Sequence, residues 1–237
     1  MFESEIVQHA KENPEEEVCG FVLLEPDLSV KIERSINESP NKRECFLISP
    51  AKFIKNKLNK KILGIYHSHP FTTENPSARD KVLSKETGVP YLIYSLKTEK
   101  FFLYHPTTCS PSQLTQRPYV RAFYECISIF RDYYKEKLDI NISEWNKNYW
   151  LPKEDIKANK LLKRILKKNM DLIKVEEMKK HDLIVFELNK NKRFHVGVYL
   201  GGDKFLHQPD KLLSREQLLD ERWQNKIKHV YRHPSLV

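Results

Sequence analysis

Apolar positions recur along this chain in two periods, and the changes between them predict its elements. Residues 4–13 carry Ile6, Val7 and Ala10 at helical spacing, and Asn13-Pro14 closes that helix. Phe21-Val22-Leu23-Leu24 is a continuous apolar run, which predicts a buried strand; Glu25-Pro26-Asp27 is a turn, and residues 30–36 return as its hairpin partner. Phe46-Leu47-Ile48 reads as a strand, and Ser49-Pro50 opens a helix to about Asn59, proline suiting the first helical position. Ile62, Leu63, Ile65 and Tyr66 form another buried strand, and a helix is expected from Ser77 to about Lys85. Residues 91–95 and 101–105 read as two strands paired across the polar turn 97–100.

Residues 106–112 are turn-rich and apolar-poor, the composition of a linker. Helical spacing resumes with Ile127, Phe130 and Tyr134 in a helix that has Cys126 in its first turn. The stretch 138–155, with Trp145 and Trp150, reads as an aromatic loop: a lid, a groove wall or core packing. Residues 157–168 read as a helix with Leu161, Leu162, Ile165 and Leu166 inward and lysines in solvent. Runs at 181–186, 194–200 and 204–207 predict an antiparallel meander turning at Gly201-Gly202. The expected architecture is therefore α/β plus α+β, with domains at 1–108 and 116–237 joined by a linker at 109–115.

Composition narrows the function. A chain of 237 residues, 40% hydrophobic and 31% charged, suits two cores of about a hundred residues each. No apolar run approaches the ~18–20 residues of a membrane span. The polar, acidic start predicts no signal peptide and synthesis in a cytoplasm. A net charge of +9 favours an anionic partner. The lysines are scattered, however, and no RNP motif, zinc finger or recognition helix is found, so nucleic acid is not expected and an anionic cell wall fits as well. Cys19, Cys45, Cys109 and Cys126 show no CxxC spacing, which argues against a disulfide framework or a thiolate zinc site; Cys19 and Cys45 read as core thiols.

Two clusters carry chemistry. His67 and His69 end one strand two residues apart, so both imidazoles face one side. Pro70 stops the ladder, and Ser77 and Asp80 have the spacing of a helix N-cap and its N3 position. Two imidazoles and a carboxylate with a fourth position free for water form the donor set of catalytic zinc. The pattern His-x-His-Pro, six residues, Ser, two residues, Asp resembles the JAMM signature of the MPN (JAB/Mov34) metallopeptidases. Glu17-Val18-Cys19-Gly20 supplies the Glu-x-x-Gly context of that family. The resemblance implies an α-β-α domain that binds one Zn2+ through His67, His69 and Asp80, with Glu17 as general base. It gives Ser77 a hydrogen bond to the metal-bound water or the tetrahedral intermediate; helix capping alone is the plain alternative.

The second cluster is Cys126, His195 and His207. A thiol in the first turn of a helix sits at the positive end of the dipole, which favours thiolate, and needs a histidine to take its proton. The meander brings His195 and His207 near each other, so His207 can orient the His195 ring. Residues 117–207 resemble an NlpC/P60 cysteine peptidase, a papain-like fold, through the helix-borne Cys126, the Asp-Leu-Ile-x-Phe strand and His-Val-Gly-x-Tyr-Leu-Gly. Arg-Pro-Tyr at 117–119 and the closing Arg-His pair are most like the phage-tail branch, whereas Glu125 stands where Asp is usual and Ala122 where Gly is common. His9, His105, His229 and His233 read as surface or satisfied residues.

The tandem resembles the tail-tip assembly proteins of lambda-like siphophages. That resemblance implies a peptidoglycan hydrolase of the virion tail tip, made in the host cytoplasm, with two peptidase sites acting on cell-wall peptides beside other tail-tip proteins. The alternative is a structural tail-assembly factor with one or both sites inactive. A ubiquitin-type deconjugase, readable from the first half alone, is disfavoured by the second.

Overall fold

The computed structural model describes residues 2–142, 145–148, 155–188 and 194–236. They form two compact units, one of residues 2–109 with the strand 145–148, the other of the remaining described residues.

The first unit contains α1 (Phe2–Glu12), β1 (Cys19–Leu24), β2 (Val30–Ser35), α2 (Pro50–Asn59), β3 (Lys61–His69), α3 (Ala78–Thr87), β4 (Tyr91–Ser95), β5 (Lys100–His105) and β6 (Trp145–Asn148). One sheet runs β2-β1-β3-β4-β5-β6, antiparallel except where β3 pairs with β4. All of β1 and the last seven residues of β3 are buried, as expected of strands read as continuous apolar runs. Gly20 of β1 is obligatory for packing: a Cβ there would strike the Glu33 carbonyl oxygen and lie 2.6 Å from the Tyr66 ring.

Two expectations fail here. Phe46-Leu47-Ile48 joins no ladder. Phe46 and Ile48 are buried and Leu47 is exposed, so the alternation is right, but the Leu47 N–H donates to Asn37 Oδ1 (3.0 Å) and its carbonyl accepts from Glu38 N–H (2.8 Å). A side chain thus satisfies backbone that a neighbouring strand would otherwise pair. The stretch 138–155 is not all loop: β6 lies within it and closes the edge of the first sheet, Trp145 opposite His105. Trp150 lies outside the described residues.

The second unit contains α4 (Cys126–Leu138), α5 (Asp155–Asn169), β7 (Asp171–Ile173), β8 (Leu183–Glu187), β9 (Phe194–Gly201), β10 (Lys204–His207), β11 (Arg215–Leu218), the short α6 (Glu221–Gln224) and β12 (Ile227–Arg232). Its sheet runs β11-β10-β9-β8-β12-β7 and is antiparallel throughout. The meander β8-β9-β10 is present, but its first strand begins two residues later than the apolar run suggests. His181 has φ +79°, and the Asp182 carboxylate is held by Arg232 at 2.7 Å and by the Lys179 N–H at 2.6 Å. This ion pair, buried on its aspartate side, gives the closing arginine its role. Leu162, Ile165 and Leu166 of α5 are buried as their spacing predicts, and the Leu161 side chain lies outside the described residues. The sheet packs Ile184, Phe186, Phe205 and Leu219 into a core that also contacts Trp223.

Candidate active sites

Strand register builds the first site. Cys19 lies opposite His67 in the antiparallel β1–β3 pair, and the pairing continues past β1 through Val18 and Ser68, whose backbones bond at 2.9 Å. Glu17 is therefore brought opposite His69, with Oε1 3.9 Å from His69 Nε2. The Val18 N–H also donates to Ser68 Oγ (3.0 Å), and Asn37 Nδ2 donates to the Glu17 carbonyl (2.8 Å), which fixes the carboxylate-bearing backbone. Asp80 arrives from α3 through a capping box: Asp80 Oδ2 accepts from the Ser77 hydroxyl and the Ser77 N–H, both at 2.7 Å, and the Asp80 N–H donates back to Ser77 Oγ at 3.1 Å. The Ser77 hydroxyl is thus engaged in orienting Asp80.

His67, His69 and Asp80 are all buried, and their donor atoms lie within 4.8 Å of one another. His67 Nε2 is 3.2 Å from His69 Nε2 and 3.3 Å from Asp80 Oδ1. Zinc bonded at ~2.0–2.1 Å in a tetrahedron would place its donors about 3.3 Å apart, so these separations fit the ion. The proton on His69 fits as well: its Nδ1 lies 2.7 Å from the Thr73 carbonyl, which can only accept, so the lone pair is left on Nε2, facing the cluster. The three residues could hold a metal. Burial would raise the Asp80 carboxyl, but His67, His69 and the Ser77 hydrogen bond outweigh it and hold Asp80 well below its ordinary value. Burial pushes the Glu17 carboxyl up, against the opposing pull of the two imidazoles, which suits a group that exchanges protons. Phe46 stacks on His67 with centroids 4.5 Å apart.

In the second unit His195 Nε2 and His207 Nδ1 meet at 2.9 Å, with both rings buried. His207 is held down to about 4 by burial and by nearby Arg215, so it is neutral at neutral pH. If His207 Nδ1 accepts, His195 carries its proton on Nε2 and keeps its Nδ1 lone pair for a thiol. Among the described residues His207 Nε2 has no hydrogen-bond partner, and its ring stands edge-on to Trp223 at 5.3 Å. Cys126 is half-buried at the first position of α4, the helix that packs on β9 and β10, the strands of His195 and His207.

Both departures before Cys126 have a structural counterpart. Ala122 sits at φ +72°, a conformation that favours glycine, in a tight bridge between Val120 and Tyr124. The Glu125 carboxylate accepts the Ala122 N–H at 3.2 Å. Arg117, fully buried, ties this region together: it donates to Gln208 Oε1 (3.2 Å), Asp132 Oδ2 (2.6 Å) and Ser128 Oγ (2.7 Å), and lies over the Tyr124 ring. The helix of Cys126 is thereby tied to the residue that follows His207. Sequence reasoning missed Thr73, Gln208 and Trp223; adjacency to His207 marks Gln208, but no sequence signal marks the other two. Among the remaining histidines, His9 bonds Tyr66 (2.8 Å), His105 lies 3.1 Å from the Pro106 carbonyl, and His233 bonds Ser235 (2.7 Å).

The family model for prokaryotic homologs of the JAB domain matches residues 2–110, and the NlpC/P60 family model matches residues 116–232. The chain is 24% identical to "Tail tip assembly protein K" of Escherichia phage N15, covering 98% of this chain and 93% of that protein. It is 21% identical to "Tail tip assembly protein K" of Escherichia phage lambda, covering 78% and 89%. A solved NlpC/P60 family protein from Bacillus cereus is 14% identical, covering 95% of this chain and 66% of that one, with a TM-score of 0.36.

Proposed function

Starting from a chain that joins a JAB-type domain to an NlpC/P60 domain and is homologous to tail tip assembly protein K over nearly its whole length, we propose a phage tail-tip hydrolase of bacterial cell-wall peptides with two peptidase sites. The observation that carries the reading is the convergence of His67, His69 and Asp80 with the Glu17 carboxylate directly behind them.

Zinc bound there would supply a Lewis acid and a water with its pKa lowered toward ~7. Around it, Thr73 sets the tautomer of His69, Ser77 holds the second oxygen of Asp80, and Glu17 takes a proton from water and returns it to the leaving amine. In the second domain His195 Nδ1 takes the Cys126 proton, and sulfur bonds to the peptide carbonyl carbon. The C–N bond then breaks as the proton passes to the amine, and water hydrolyses the thioester with His195 again as base. His207 holds the His195 ring throughout. Among the described residues no helix is long and apolar enough to cross a membrane.

Purified full-length protein is incubated with sacculi, and released muropeptides are read by mass spectrometry. Two product sets are expected: a chelator or His69→Ala removes one, and thiol alkylation or Cys126→Ala removes the other. No release by the metal-replete protein refutes the hydrolase. The relatives' printed name supports a second reading, assembly of the tail tip with other tail proteins. A phage carrying His69→Ala with Cys126→Ala would, on that reading, still form complete tails.

A further inference from the structure

Beside the first site lies a cleft of about 840 Å³, and its wall carries charges that the hydrolytic chemistry does not use. Glu17 and Asp80 are committed to proton and metal, and Glu44, the third acid of the lining, accepts from Asn41 Nδ2 at 2.9 Å. Two guanidinium groups, those of Arg43 and Arg79, line the same cleft. Arg43 lies over the Phe71 ring at 4.2 Å, which presents its planar fork along the wall. Its ionic neighbour, Glu15, is 3.7 Å away and mostly exposed, too distant for a hydrogen bond and worth little in water. Arg79 stands in the first turn of α3, where the helix dipole disfavours a cation. It makes no ion pair or hydrogen bond among the described residues, and its side chain is exposed.

Arg43 and Arg79 are both exposed and line one substrate-sized cleft, so their guanidinium groups are open to an anion from outside the chain. Guanidinium binds carboxylate through paired hydrogen bonds, and a peptide substrate offers carboxylates as its only common anions. We propose that this cleft selects peptides bearing a free carboxylate next to the bond to be cut, with Arg79 and Arg43 as its receptors and exposed Phe71 as the apolar wall. The inference rests on the hydrolase reading of this site and names its substrate class.

The test is calorimetric binding to the zinc-loaded full chain carrying Glu17→Gln and Cys126→Ala, which prevents turnover. The probes are acetyl-γ-D-glutamyl-L-lysine with a free glutamyl α-carboxylate and the same peptide as its α-carboxamide. The carboxylate form is expected to bind at least tenfold more tightly, and Arg79→Gln with Arg43→Gln to erase that preference while zinc content stays unchanged. Equal binding of the two forms, binding of neither, or a preference that survives the double substitution overturns the inference. Hydrolysis by the unsubstituted chain is followed in parallel. Carboxylate-dependent binding without turnover would refute the hydrolase and leave the receptor standing; turnover of both forms alike would do the reverse.

Discussion

Replacing Arg117 by Met tests whether the buried guanidinium fastens the second domain together. The side chain is 2% exposed and makes three hydrogen bonds, of which the one to Asp132 at 2.6 Å is charge-assisted. Removing one member of a buried ion pair costs about 3–5 kcal/mol. Asp132 keeps Arg131 on its other oxygen, at 2.8 and 2.9 Å, which moves its share toward the lower end. Gln208 Oε1 loses its donor from Arg117, and a buried acceptor left unmet costs roughly 1–3 kcal/mol. Methionine retains much of the stem packing, so the expected loss is about 4 kcal/mol, below the ~5–15 kcal/mol stability of a typical domain. Urea unfolding of the full chain, followed by circular dichroism, should show the midpoint of one transition falling by about 2 M and the other unmoved. Arg117→Lys should lose roughly half as much, because an ammonium cannot reach all three partners. In the Arg117→Met background Asp132→Asn should cost at least ~1 kcal/mol less than it does in the wild type, because the pair with Arg117 is already gone and only that with Arg131 remains to be lost. A cost below ~1 kcal/mol for Arg117→Met, or costs of the two substitutions that simply add in the double variant, would refute the reasoning.

His207 should make stability depend on acid. Its folded value of about 4 lies below the unfolded 6.5, so the unfolded chain binds the proton first; stability is complete above pH 6.5 and declines by about 3 kcal/mol as pH falls to 4. That decline, measured as the difference between the wild type and His207→Gln, should vanish in the variant; equal slopes would contradict a neutral buried ring. Gly20→Ala should cost about 1–3 kcal/mol by calorimetry because the Glu33 backbone carbonyl and the Tyr66 ring must both shift, and an unchanged melt would show that they yield freely. A fragment of residues 1–108 should melt cooperatively yet self-associate on sedimentation, since β5 has lost the strand that covers its edge. A strictly monomeric fragment would remove that role from β6.

Much of the fold was written locally. The apolar runs at 21–24 and 62–66 are strands because both faces are buried, and the Ser77-to-Asp80 spacing is a capping box that the structure contains. A meander is legible because a Gly-Gly turn separates two apolar runs. What escaped the reading depends on distant partners. β7 and β11 lie at the two edges of their sheet with mostly exposed residues, so they carry no apolar period to detect. In β12 the one fully buried residue, Val230, shares its face with Lys228 and Arg232, so no apolar period of two can be read there. Within the candidate sites, the histidines were legible because they end strands, whereas Thr73 acts through its backbone carbonyl, which any residue possesses. Arg117 was noted only as part of a motif, because full burial of an arginine is not readable without Asp132, Ser128 and Gln208 around it.

The edge strand β6 gives the chain an order of events during synthesis. Residues 2–105 supply five strands of the first sheet, and the sixth is encoded beyond the whole of α4. At roughly 5–20 residues per second, the ribosome needs about 2 to 9 seconds to pass from His105 to Asn148. Throughout that interval β5 offers an unpaired row of backbone donors and acceptors to any extended neighbour, including the same segment of an adjacent nascent chain. The first domain is therefore finished only after translation of the second has begun, and the fidelity of its last pairing rests on Trp145–Asn148 reaching its own sheet before another copy does.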